Sequence, residues 1–148
     1  MQEKPSIPFL QETTFSSTIL KRIAVKAWPG ALVTAVDAQG ASGGLEILWD
    51  ARTIHLNNIQ ANKNFIQATF HLSGMNAHGL LTNVYFPQDT AKKNYLLNTL
   101  SELNKDRPFP LWIYGGDYNM IASMEEKKGG RSNTNNDDCL LKEFINSN

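Results

Sequence analysis

Leu111-Trp112-Ile113-Tyr114-Gly115-Gly116-Asp117-Tyr118-Asn119 is the stretch on which the reading of this chain turns. Its first four residues are apolar or aromatic and predict a short strand, Leu111 to Tyr114. Two glycines then permit a tight turn. Asp117 and Asn119, two residues apart, can point into one cleft. A carboxylate there can orient or deprotonate a water, and an amide can donate to a phosphate oxygen. Alone, the same residues describe an Asx turn closing a strand, so the rest of the chain has to decide.

Upstream, Leu80 to Phe86 predicts a strand stopped by Pro87, with Asn83-Val84-Tyr85-Phe86-Pro87 at its end. A tyrosine hydroxyl at a strand end can bond a phosphate oxygen, but by itself Tyr85 is better read as an ordinary half-buried strand tyrosine. Near the start, Ile7-Pro8-Phe9-Leu10 reads as a short strand running into Gln11-Glu12-Thr13. A carboxylate at such an edge suits a hard cation such as Mg²⁺. By itself Glu12 is better read as a solvated residue favoured by a helix N-terminus.

Between these three places the chain alternates helices and strands. Thr13 or Thr14 is placed to cap a helix carrying Ile19, Ile23 and Ala27 at helical spacing, stopped by Trp28-Pro29-Gly30. Strands follow at Ala31 to Val36, Leu45 to Trp49, Ile54 to Ile59 and Phe65 to Leu72, with turns at Gly40 to Gly44 and Asn62 to Asn64. In the last of these strands Ile66, Ala68, Phe70 and Leu72 share one face. Gln67, Thr69 and His71 share the other, as in a half-buried strand. Asp89 is placed to cap a helix with Leu96, Leu100 and Leu103 on its apolar stripe and Lys92, Lys93 and Glu102 on its wet side. Arg107-Pro108 closes it. A last helix from near Asp137 carries Leu140, Leu141, Phe144 and Ile145 on one face.

Composition narrows the classes. The 148 residues suffice for one domain with a core. No apolar run reaches the length of a membrane span, and the polar start Met1 to Pro5 lacks a signal-peptide core. Lys plus Arg equals Asp plus Glu at 14 each, so charge alone does not drive binding to nucleic acid. The single Cys139 cannot close an internal disulfide and fits a reducing compartment within the cell, nuclear or cytoplasmic, although no basic import run is visible. His55, His71 and His78 share no zinc spacing with Cys139. His55 and His71 fall in strands, and His78 in a glycine-flanked turn. Trp49 and Trp112 read as core, and Lys127, Lys128 and Arg131 as a solvated loop.

Taken in order, a strand ending in Gln11-Glu12-Thr13, one ending in Asn83-Val84-Tyr85-x-Pro87 and one ending in Gly116-Asp117-x-Asn119 resemble the endonuclease/exonuclease/phosphatase family. The likeness is greatest to the nuclease domain preceding reverse transcriptase in plant LINE-type retrotransposons. Gly43 to Asp50, Glu126 to Arg131 and Phe144-Ile145 add to it, so it runs from about Ile7 to Ile145. The resemblance implies an α/β (α+β) fold, a four-layer sandwich of two mostly antiparallel β-sheets flanked by helices, of which residues 1–148 would be one partial domain. It implies Mg²⁺ (or Mn²⁺) held by Glu12, a water positioned or activated by Asp117, and a phosphate bonded by Asn119 and by Tyr85. It makes DNA the expected ancestral substrate.

Family members also carry a first strand ending in Asn, a later Asp and a Ser-Asp-His near the end. None of these occurs within the 148 residues. The expectation is therefore a truncated phosphodiesterase domain, inactive or nearly so in isolation. The alternatives are a catalytically dead, retroelement-derived binding module, or a phosphatase acting on phosphoinositides or other small phosphate esters.

Overall fold

In the computed structural model the residues described are 5–38, 43–107, 109–120 and 137–147. Part of the Gly40 to Gly44 turn, Pro108, the stretch with Lys127, Lys128 and Arg131, and most of the Asn-rich run before Asp137 lie outside them. The chain divides into two compact units. One comprises Met1–Tyr85 with Phe109–Asp117, the other Phe86–Pro108 with Tyr118–Asn148.

The first unit is a pair of sheets. One has the order β1-β3-β2, built from β1 (Phe9–Gln11), β2 (Ala31–Val36) and β3 (Leu45–Asp50), all antiparallel. The other has the order β4-β5-β6-β7, from β4 (Ile54–Ala61), β5 (Phe65–Leu72), β6 (His78–Tyr85) and β7 (Leu111–Asp117). The β4-β5-β6 run is antiparallel, but β6 and β7 are parallel. A parallel pair cannot be joined by a tight hairpin, and the 25 residues between Tyr85 and Leu111 leave room for the helix that the sequence places there.

Leu45, Ile47 and Trp49 from β3 meet Ile66, Ala68 and Phe70 from β5, Leu81 from β6 and Ile54, with Phe9, Val36 and Tyr85 at the margin. These are alternate residues of each strand, the period of 2 that assigns one face to the core. Phe9 lies over Gly115, where a Cβ would crowd the ring. That explains one glycine of the Gly115-Gly116 pair as a packing necessity rather than a turn.

The structure corrects several expectations. Strand β7 does not stop at Tyr114 but runs on through both glycines to Asp117. His78 begins β6 instead of lying in a turn. On the polar face of β5, Thr69 is half-buried and His71 exposed, but Gln67 is buried, and its Nε2 donates to Thr82 Oγ1 at 3.0 Å. The first helix, α1 (Ser17–Ala27), is not capped by Thr13 or Thr14. Its N-cap is Ser16, whose side chain makes no capping bond, and the Asp37 carboxylate after β2 accepts from Ser17 N at 2.6 Å instead. The helix packs on β2 and buries Ala24, leaving Ile19 and Ile23 exposed.

The second unit holds α2 (Thr90–Asn104) and α3 (Asp137–Ser147), which touch each other. Asp89 caps α2 as expected, its carboxylate accepting from Lys92 N at 2.9 Å. Leu96 and Leu100 are buried on the expected stripe, but Lys93, assigned to the wet side, is buried too. On α3, Leu141 and Phe144 of the expected apolar face are buried, Leu140 is half-buried, and Ile145 is exposed. Among the described residues no helix is long and apolar enough to cross a membrane.

Candidate functional site

The C-terminal ends of β1, β6 and β7 lie at one edge of the two-sheet unit. Gln11 pairs with Leu45, the first residue of β3, and Tyr85 stands in register with Asp117 on the parallel neighbour. Residues paired directly on adjacent strands present their side chains to the same face. Tyr85 and Asp117 therefore share the face that looks toward the first sheet.

Across that edge Tyr85 Oη donates to Glu12 Oε1 at 2.5 Å. This bond, together with the charges of Glu12 and Asp117 and with burial, pushes the Tyr85 hydroxyl above its ordinary range. The Glu12 bond is the largest cause. The hydroxyl thus stays protonated at neutral pH and remains a donor. The backbone of Tyr85 is held from the other side, because Tyr85 N donates to the Asn64 carbonyl at 2.8 Å and Asn64 Nδ2 to the Tyr85 carbonyl at 3.1 Å. Three of the four residues singled out in the sequence, Glu12, Tyr85 and Asp117, are therefore brought to one place.

Glu12 adopts a left-handed backbone with φ 54°. For a residue with a side chain this costs about 1–3 kcal/mol, and it persists only where the surroundings over-determine it. The strand before it is held by Asn83, which is fully buried. Asn83 Oδ1 accepts from Gln11 Nε2 at 2.6 Å, and Asn83 Nδ2 donates to the carbonyls of Leu10 at 3.0 Å and Glu46 at 2.9 Å. One amide on β6 thereby fastens β1 and β3 of the facing sheet. Beyond Glu12, Thr13 Oγ1 donates to the buried Glu46 carboxylate. In the sequence Asn83 and Glu46 lie inside longer motifs that assign neither a role. The available signal was a polar side chain interrupting each apolar strand, Asn83 on the same face as Tyr85.

Asn119 belongs to the second unit. It too is left-handed, with φ 48°, and its Nδ2 donates to the Phe86 carbonyl at 2.7 Å. Tyr118 stacks on Phe86 with ring centroids 5.4 Å apart.

Among the described residues there is no group of three or more His, Cys, Asp or Glu that could hold a metal ion. A hard cation bound through one or two carboxylates and a substrate phosphate does not need such a group. Glu12 suits that case. Its side chain is at an exposed position, Oε1 is oriented by Tyr85, and no described residue bonds Oε2.

The two-sheet arrangement matches solved structures. A protein from Bacteroides thetaiotaomicron described as an endonuclease/exonuclease/phosphatase family protein aligns with TM-score 0.59 and 15% identity, over 78% of this chain and 50% of that one. The chain shares the endonuclease/exonuclease/phosphatase fold. D. rerio TDP2, complexed with a single-strand DNA product, aligns with TM-score 0.61 and 16% identity, over 79% of this chain and 49% of that one. A mannosyl-6-phosphatase from Bacteroides thetaiotaomicron aligns with TM-score 0.59 and 15% identity, over 78% and 51%. The chain thus spans about half the length of these structures. No protein-family model and no curated protein sequence matches it.

Proposed function

We propose that this chain supplies the metal-holding and water-activating part of a phosphoester hydrolase of the endonuclease type. The observation that carries the reading is the Tyr85-Glu12 bond, 2.5 Å long, beside Asp117 in register with Tyr85. The fold shared with phosphoester-processing proteins supports it, as does the order of the three motifs. Glu12 would hold Mg²⁺ or Mn²⁺ through the oxygen that Tyr85 leaves open. When bound, the ion supplies Lewis-acid polarisation of a phosphoryl oxygen.

The remaining roles belong to the protein. The Asp117 carboxylate accepts a proton from the attacking water. The Tyr85 hydroxyl fixes the orientation of Glu12 with its single proton, and would donate to a phosphate only by giving up that bond. The Asn119 amide donates to a phosphate oxygen, a role that rests on its place in the sequence motif alone. A DNA phosphodiester is the substrate favoured by the resemblance to retroelement nucleases. The second reading is a small phosphate ester, the substrate class named for the mannosyl-6-phosphatase neighbour.

The first-strand Asn, later Asp and Ser-Asp-His of the family pattern are not among these 148 residues, so slow turnover by this stretch is expected. Mn²⁺-dependent nicking of supercoiled plasmid, run beside release of phosphate from a sugar phosphate, tests the proposal. Glu12→Gln and Asp117→Asn should each lower the rate by ~10² to 10³, the usual effect of removing one preorganised electrostatic group. Nicking at the wild-type rate by either variant would overturn the assignment, and turnover of the sugar phosphate alone would select the second reading.

A further inference from the structure

Glu46 is out of place by every simple rule. It stands in the middle of the apolar strand Leu45-Glu46-Ile47-Leu48-Trp49, and its side chain is 1% exposed. Its Oε1 accepts from Thr13 Oγ1, while its Oε2 is buried without a hydrogen-bond partner. Burial pushes the carboxyl upward, the Thr13 bond works against that, and the charge of Asp37 adds to it. A buried carboxyl is unfavourable where an apolar side chain would pack. Its one side-chain bond is to the residue that follows Glu12.

Thr13 is confined from a second side. It lies against Gly44, the residue before β3, where a Cβ would collide with the Thr13 carbonyl and hydroxyl oxygens. Gln11 is fixed by Asn83. Glu12 is thus bracketed: the residue before it is tied to β6, and the residue after it to β3. Between the two ties its backbone is left-handed.

We infer that Glu46 is a positioning residue for Glu12, acting through the Thr13 hydroxyl to hold the Glu12 backbone in the conformation that meets Tyr85. This rests on the reading of Glu12 as the metal-holding carboxylate, and the test separates the two ideas. Thr13→Val keeps the shape and removes the donor; Thr13→Ser keeps the donor. The intraresidue HN–Hα cross-peak of Glu12 in metal-free NMR spectra is strong when φ is positive, and Mn²⁺ titration reads the carboxylate's use.

Thr13→Val is expected to lose the strong cross-peak and to weaken Mn²⁺ binding about 10-fold or more, the usual result of removing an outer-shell partner. Thr13→Ser should retain both. A Thr13→Val protein that keeps the cross-peak overturns the inference, as does one that loses it while binding Mn²⁺ as the wild type does. Glu12→Gln is the control for the underlying reading. If it binds Mn²⁺ as tightly as the wild type, Glu12 is not the metal-holding residue. In that case the cross-peaks of Thr13→Val and Thr13→Ser still report whether Glu46 sets the Glu12 backbone.

Discussion

The two ends of the sheet pair are built on opposite principles. At the end where β3 turns into β4, the side-chain bonds join near neighbours, beside backbone bonds from Asp50 N to the Ser6 carbonyl at 3.3 Å and from Ser73 N to the Thr53 carbonyl at 2.8 Å. Asp50 accepts from Arg52 N at 2.9 Å and from Arg52 Nη2 at 2.6 Å, and Thr53 N donates to the Asp50 carbonyl at 3.0 Å. No residue of that turn needs a positive φ. At the end holding Glu12, the bonds join residues 72 and 73 positions apart, Gln11 to Asn83 and Tyr85 to Glu12. One residue there with a side chain, Glu12, is left-handed, and the negative charges of Glu12 and Asp117 both act on Tyr85. At the first end the side chains satisfy one another within the turn, and no positive φ is needed. The second is held against strain and like-charge repulsion by the rest of the unit, which is how preorganised sites are commonly built.

Breaking the long-range fastening should have the largest effect. Asn83→Ala removes three hydrogen bonds and takes a donor from the part-buried Leu10 carbonyl and the buried Glu46 carbonyl. Unsatisfied buried groups cost about 1–3 kcal/mol each, so a loss of about 2–4 kcal/mol is expected in urea unfolding. Less than about 0.5 kcal/mol, the range of ordinary surface changes, would show that β1 is held by packing alone.

A smaller effect separates strain from stability. Glu12→Gly relieves the left-handed backbone and removes one of two nearby negative charges, at the loss of the Tyr85 bond. The urea midpoint should stay level or rise, with a change within about 1 kcal/mol, while Mn²⁺ binding disappears. A clear fall in the midpoint would mean that the Glu12 bond to Tyr85 stabilises the fold more than the backbone strain opposes it.

The smallest effect belongs to the local end. The Arg52 hydrogen bonds hold the Asp50 carboxyl down at about 2, against an ordinary carboxylate value of about 3.9. Because the folded value is the lower one, the contribution is full above about pH 4 and fades as pH falls toward about 2. Arg52 is largely exposed, so Arg52→Gln should lower stability only slightly at pH 7. The difference from wild type should vanish near pH 2. A difference that persists there would trace the effect to packing of the arginine stem, not to the ion pair.

Much of this was legible in the chain. Alternation in Phe65 to Leu72 placed Ile66, Ala68 and Phe70 on the core face, because a strand's side chains alternate whatever it packs against. Asp89 announced the start of α2 because a cap acts within one turn. Glu12, Tyr85 and Asp117 could be picked out because each ends an apolar strand in a short polar motif. Periodicity failed where a second partner intervened. Ile19 and Ile23 repeat at helical spacing but remain exposed, since α1 packs on β2 through Ala24. Gln67 shares a face with the exposed His71 yet is itself buried and bonded to Thr82.

The sequence by itself determined the elements, their order and the residue types at their ends, because propensity, capping and alternation act over a few residues. Only the tertiary structure decided that Asp117 extends β7 into register with Tyr85, and that Glu12 is bracketed by Asn83 and Glu46. Those facts depend on strand pairing and on hydrogen bonds between residues tens of positions apart, which no local pattern encodes.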